Sequence, residues 1–156
     1  RFAYIVTFKK TDPLFAIDLS NLLDPKIVDE LKIPGFSTQL YPIRPGKLIG
    51  IGFDAQDMGR FAWFAGLKIS FFDILNPEEL SQLDFRVIGS RGSYSEATSN
   101  SHAFFFDEAS SLVGIPAVIL EGGDGGQYGN TISFSGALLY QLQNDKLVDF
   151  AKISSE

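Results

Sequence analysis

Phe15-Ala16-Ile17-Asp18-Leu19, Phe71-Phe72-Asp73-Ile74 and Leu138-Leu139-Tyr140-Gln141-Leu142 read as one strand written three times. Aromatic and branched residues dominate each copy, which suits a pleated, packed surface. After a turn, each copy is followed by an amphipathic strand: Lys26 to Ile33, Leu80 to Ile88, and Lys146 to Ile153. Each is preceded by a strand of apolar and small residues: Tyr4-Ile5-Val6-Thr7-Phe8, Leu48-Ile49-Gly50-Ile51-Gly52, and Leu112-Val113-Gly114-Ile115-Pro116. Three strand types recurring in one order make a structural repeat, and connections too short for crossover helices make it antiparallel.

Working outward, further strands are expected at Thr38 to Pro42 and Ala103 to Phe106. Thr11-Asp12-Pro13, Leu23-Asp24-Pro25 and Leu75-Asn76-Pro77 end strands, because proline after an acidic or amide residue presets a turn. Arg44-Pro45-Gly46-Lys47 and Asn144-Asp145-Lys146 read as hairpin connections. The one helical candidate is Asn76 to Gln82, where an Asn cap precedes Pro77, Glu78 and Glu79. Repeats spaced by about 55 to 68 residues are long for propeller blades, and elaborated connections accommodate the excess. The expected fold is therefore all-β and β-propeller-like: about three consecutive four-stranded antiparallel blades, a partial propeller. Residues 1–156 form a single domain or a fragment of a larger propeller, with the glycine-bearing strands expected near the central channel. A generic β-sandwich with accidental repeats is the alternative.

Composition narrows the function. The chain of 156 residues is 45% hydrophobic and 21% charged, which is globular composition. A net charge of -6 with only 13 Lys and Arg lacks the basic footprint of a nucleic-acid binder. No run of about 18 apolar residues suggests a spanning helix. Absence of Cys removes disulfides, iron–sulfur chemistry and a thiol nucleophile, while one His and one Met leave only oxygen-rich metal chemistry. The opening Arg1-Phe2-Ala3, with neither a starting Met nor a signal-peptide pattern, reads as a processed or excised piece.

The strand order, together with Leu14-Phe15-Ala16-Ile17-Asp18-Leu19, Leu31-Lys32-Ile33-Pro34-Gly35-Phe36-Ser37 and Val87-Ile88-Gly89-Ser90-Arg91-Gly92-Ser93-Tyr94-Ser95-Glu96-Ala97, resembles a bacterial and archaeal family of secreted proteins with a C-terminal β-propeller domain. The resemblance runs from about Tyr4 to Ile119 and more weakly to Ile153. Lys9-Lys10-Thr11-Asp12-Pro13-Leu14-Phe15 and Arg91 to Ala97 are its most specific parts. It implies a propeller, an extracellular or cell-surface setting and a missing upstream portion, with no catalytic set to carry over. Phe61-Ala62-Trp63-Phe64-Ala65 departs from the polar connection it implies there.

Candidate sites each have a structural reading beside the functional one. Asp18 and Asp73, with Gln141 as third copy, sit at strand ends where a carboxylate orders the next turn. Arg91, Tyr94 and Glu96 offer a donor fork, an amphipathic ring and a partner for the arginine; they form either a recognition patch or a corner tying blades together. Phe61, Trp63 and Phe64 form a partner-contact patch or cover an open edge. The glycine-rich stretch Glu121 to Asn130 is a face loop, with Glu121 and Asp124 as weak calcium candidates, although it lacks the spacing of a calcium hand or phosphate loop. His102 with Ser95, Ser99, Ser101 and Asp107 lacks any nucleophile signature, and a triad is defined by geometry. Asp54 with Asp57 and Glu78 with Glu79 are pairs expected by chance among 19 acidic residues.

These readings lead to a non-catalytic extracytoplasmic binding or scaffold module contacting protein or glycan through inter-blade loops. It takes no cofactor, binds no nucleic acid and has no direct membrane span. An incomplete ring leaves sheet faces exposed, so a homo-oligomer is open. The alternative is part of a hydrolase or oxidoreductase whose catalytic residues lie outside this segment or between chains.

Overall fold

The computed structural model of the chain describes residues 1–7, 13–57, 62–124 and 126–156, with the side chains of 57, 62 and 63 left aside. Alternating apolar residues and tight turns produce three antiparallel sheets. The first joins β1 (Phe2–Val6), β2 (Leu14–Asp18) and β3 (Lys26–Leu31) in that order. The second joins β4 (Phe36–Arg44), β5 (Lys47–Asp57), β6 (Ala62–Asp73) and β7 (Ser81–Ile88). The third joins β8 (Phe105–Asp107), β9 (Leu112–Glu121), β10 (Thr131–Gln143) and β11 (Lys146–Ser154). This is a partial β-propeller of three- and four-stranded sheets that does not close into a barrel.

The three similar stretches become β2, β6 and β10, one in each sheet. Each pairing with the strand that follows slips at the same place: between Ala16 and Ile17, Phe71 and Phe72, and Leu139 and Tyr140. A repeated bulge re-aims the outer strand identically in each sheet. The glycine-bearing strand β5 lies second in its sheet, with β4 outside it. Close approach of β4 explains its glycine, because a Cβ on Gly52 would sit 1.9 Å from the Phe36 carbonyl oxygen.

The middle sheet is covered on both faces. Toward the third sheet, Ile49, Ile51, Leu67, Ile69 and Phe71 pack with Val113, Ile115, Leu138 and Leu147. Toward the first, Leu48 and Phe72 pack with Leu14, Ala16 and Leu80. Period-two alternation delivers both sets from the same strands, which is why these strands are apolar at nearly every position.

Polar bonds fix the stack. Leu80 N–H donates to Asp29 Oδ2 at 2.7 Å, and Leu147 N–H donates to Asp84 Oδ2 at 2.8 Å. Arg86 Nη2 donates to the Leu147 carbonyl. Two short 3-10 turns, Glu96–Thr98 and Ser101–Ala103, begin at the side-chain caps Ser95 and Asn100 and lead from β7 to β8. Tyr41 Oη donates to the Ala97 carbonyl at 2.5 Å, and its ring stacks on Phe104 with centroids 4.0 Å apart.

Asn76 to Gln82 is not a helix. Asn76 Oδ1 accepts Glu78 N–H and its carbonyl accepts Glu79 N–H, which closes a tight turn, and β7 starts at Ser81. The hairpin after β10 uses Asn144 and Asp145 at φ 50° and 59°, a left-handed pair that matches strand twist.

Candidate functional site

The segment between the second and third sheets is laced to β9 and to the glycine-rich loop. Ser90 N–H donates to the Leu120 carbonyl at 2.6 Å, and Tyr94 and Val118 exchange backbone bonds of 3.0 and 2.9 Å. Ser93, 1% exposed, accepts Leu120 N–H on Oγ at 2.8 Å. Gly89 at φ 70° and Gly92 at φ 97° supply the bends, which residues bearing a Cβ adopt only under strain. From the loop, Gly129 N–H donates to the Arg91 carbonyl at 2.8 Å, while Arg91 Nη1 donates to the Gly126 carbonyl at 3.1 Å. The Arg91 guanidinium lies 4.3 Å from the centre of the Tyr128 ring, which is 65% exposed.

Beside this corner is a polar cleft of about 290 Å³ lined by Asp54, Gln56, Ser90, Arg91, Asp124 and Gln127. Tyr94 and Glu96 face elsewhere. They line an apolar groove of about 500 Å³ with Pro116, Val118, Ala137 and Ile153 on the outer face of the third sheet. The anticipated Arg91–Tyr94–Glu96 patch is therefore split between two surfaces. Glu96 does not serve Arg91; its Oε1 accepts from Asn100 Nδ2 at 2.9 Å.

The remaining candidates have local occupations. Asp18 Oδ1 accepts Ser20 N–H at 2.8 Å and Asp73 Oδ1 accepts Leu75 N–H at 2.9 Å; these backbone bonds hold both carboxyls below their ordinary range. Gln141 instead donates through Nε2 to the Ser110 carbonyl at 3.1 Å, since the tight hairpin after β10 offers no equivalent turn. Asp107 bonds the Ser110 hydroxyl and backbone, which lowers its pKa, and Ser95 Oγ accepts Ala97 N–H at 3.1 Å. Both are thus engaged in their own turns rather than with His102, which is exposed. Phe64 is half-exposed, its ring 4.9 Å from that of Phe36. Phe61 and the Trp63 side chain lie outside the described residues, as do Lys9 to Asp12. Glu121 and Asp124 are exposed, and among the described residues no group of three or more metal-binding side chains occurs.

Two residues escaped sequence reasoning. Tyr128 carries a detectable signal, a lone aromatic in a glycine-rich loop. Lys68 carries a fainter one, a cation at a period-two core position of β6. Its residue is 4% exposed, its Nζ donates to the Pro34 carbonyl at 2.5 Å and lies 4.7 Å from the centre of the Phe85 ring. Burial lowers its pKa, opposed by the Asp54 charge.

Residues 1–156 match the family described as Beta propeller domain. Over 118 residues, 74% of the chain, the sequence is 45% identical to an uncharacterized protein of Methanocaldococcus jannaschii, of which it covers 17%. Over 117 residues, 73% of the chain, it is 38% identical to an uncharacterized protein of Archaeoglobus fulgidus, again covering 17% of it. The chain thus spans under a fifth of these relatives' length. No solved structure matches it.

Proposed function

The chain belongs to the β-propeller domain family, represented in archaea, and on that premise we propose that it is a non-catalytic binding or scaffold module. It lacks an evident catalytic motif: there is no Cys, the described residues hold no metal-ligand cluster, and the Ser and Asp nearest His102 in sequence order their own turns. No helix among the described residues is long and apolar enough to cross a membrane.

The observation that carries the binding reading is the Tyr128 ring, 65% exposed and 4.3 Å from the guanidinium of Arg91, a residue that also lines the polar cleft. A cation against one face holds the ring in place, leaving an amphipathic platform beside hydrogen-bonding groups. That combination suits the apolar face and hydroxyls of a sugar, or a peptide segment. Arg91 serves the platform and the corner at once, since its side chain and backbone both grip the glycine-rich loop. The extracellular or cell-surface setting is part of the same proposal and rests on the family resemblance.

The test is binding of the chain to an array of cell-envelope glycans and peptides, compared with Tyr128→Ala and Tyr128→Phe. Binding lost in the alanine variant and retained in phenylalanine, at unchanged melting temperature, is the expected result. Equal binding by all three removes Tyr128 from the site.

A further inference from the structure

Three successive residues of the segment between the second and third sheets hold successive parts of the glycine-rich loop. Ser90 Oγ accepts Gly123 N–H at 3.1 Å. Arg91 takes the middle and the end: Nη1 donates to the Gly126 carbonyl at 3.1 Å, and its own carbonyl accepts Gly129 N–H at 2.8 Å. Arg91 also forms an isolated parallel bridge with Tyr128. Gly92 makes room for the Tyr128 ring, since a Cβ at 92 would lie 3.1 Å from Tyr128 Cδ1 and 2.7 Å from Leu120 Cδ1. The loop is closed at its root as well, where Asn130 N–H donates to the Glu121 carbonyl at 2.9 Å. It packs so tightly on β9 that a Cβ at Gly129 would stand 2.6 Å from Leu120 Cβ.

A chain this rich in glycine has high conformational entropy when untethered. Left loose, it would spread Tyr128 over many positions, and a ligand would have to order the loop at the expense of affinity. Anchors at Gly123, Gly126 and Gly129 leave little free chain between them. The ring has a further requirement. It meets the Arg91 guanidinium, 4.3 Å from its centre, beside the place where a side chain at 92 would begin. A methyl group there crowds the ring edge and Leu120 together, and the φ of 97° at Gly92 adds backbone strain.

Resting on the reading of Tyr128 as the binding surface, we propose that Ser90 and Gly92 are its positioning residues. Ser90 fixes the start of the glycine-rich loop and Gly92 the seat of the ring, so the platform is formed before a ligand arrives. The 90–92 segment, and not the ligand, supplies the order of the loop.

Nuclear magnetic resonance of the labelled chain, first without ligand and then titrated with a neutral hexose trisaccharide, tests both roles. In the free chain the Gly123 and Gly129 amides are expected to exchange slowly with solvent, and the Gly92 α-protons to carry a ring-current shift that Tyr128→Ala removes. Ser90→Ala speeds exchange at Gly123 by roughly tenfold and weakens the saccharide response severalfold, at unchanged melting temperature. Ser90→Thr, which keeps the hydroxyl, restores both. Gly92→Ala, checked for folding by circular dichroism, moves the Tyr128 ring signals and weakens the response likewise. If that variant does not fold, the Gly92 α-proton shift in the unaltered chain decides the role of Gly92. Exchange at Gly123 and Gly129 as fast as in an unstructured peptide overturns the proposal, as do Gly92 α-protons indifferent to Tyr128→Ala. Full saccharide binding by Ser90→Ala with Gly123 released overturns it too. A protected loop and shifted Gly92 signals with no response to the saccharide leave the positioning roles standing and overturn the sugar reading of Tyr128 instead.

Discussion

The middle sheet and its two neighbours share one strand plan and differ in what lies against them. Both faces of β5 and β6 are sealed, with Ile49, Ile51 and Ile69 fully buried and Leu48 and Phe72 nearly so. The first and third sheets carry comparable apolar residues on both faces, yet one face of each is open within a single chain. Burial is therefore decided by position in the stack rather than by strand composition. Equivalent residues should contribute very differently to stability.

The largest contrast is expected from Phe72→Ala against Phe15→Ala. Phe72, 1% exposed between the first and second sheets, should lose about 3–5 kcal/mol on truncation. Phe15, on the open face, should lose less than about half of that when urea unfolding is followed at concentrations where the chain is monomeric. Equal losses would mean that the outer face is covered within one copy.

Next comes Gly52→Ala against Gly114→Ala. A Cβ on Gly52 meets the Phe36 backbone at 1.9 Å, whereas on Gly114 it meets the movable Leu139 Cδ2 at 2.7 Å. Overpacking against backbone should cost about 1–3 kcal/mol, and the change at Gly114 clearly less, as read by the shift in melting temperature. The bond from Leu147 N–H to Asp84 between the second and third sheets gives a somewhat smaller contrast. Asp84→Ala leaves Leu147 N–H without its acceptor, for a loss of about 1.5–3 kcal/mol, while Asp149→Ala should stay within about 0.5 kcal/mol. A comparable loss at Asp149, which sits opposite Tyr140, would show that it holds an equivalent bond.

The smallest effect concerns acid. Asp73 is held below its ordinary pKa chiefly by Leu75 N–H, with Lys47 at 3.1 Å adding to it. A depressed carboxyl stabilises the fold above its unfolded value, and that contribution disappears as pH falls through the folded value. Asp73→Asn should thus cost below about 1 kcal/mol at neutral pH and flatten the decline below about pH 4. An acid limb unchanged by the substitution would assign the decline to other carboxyls.

Much of the architecture was legible because it is locally encoded. Strand positions follow from alternation and turn chemistry, and the triplet order from recurrence of whole strands. Asn76 misled because an Asn before Pro77 and two glutamates caps a helix or closes an Asx turn, and Asp73, by taking Leu75 N–H, favours the turn. The candidate site was less legible. Arg91 and Tyr94 are three residues apart, yet bonding of the intervening Ser93 to Leu120 sends them to different surfaces.

The sequence by itself determined an all-β chain, the order of its strands and most of its turns, since these depend on neighbours a few residues away. Only the tertiary structure decided which faces meet, that Ala151 rather than Asp149 lies opposite Leu139, and that Arg91 stands over the Tyr128 ring. Those outcomes turn on a bulge and on loop lengths that shift register between residues far apart in the chain. One step of register exchanges one face of a strand for the other.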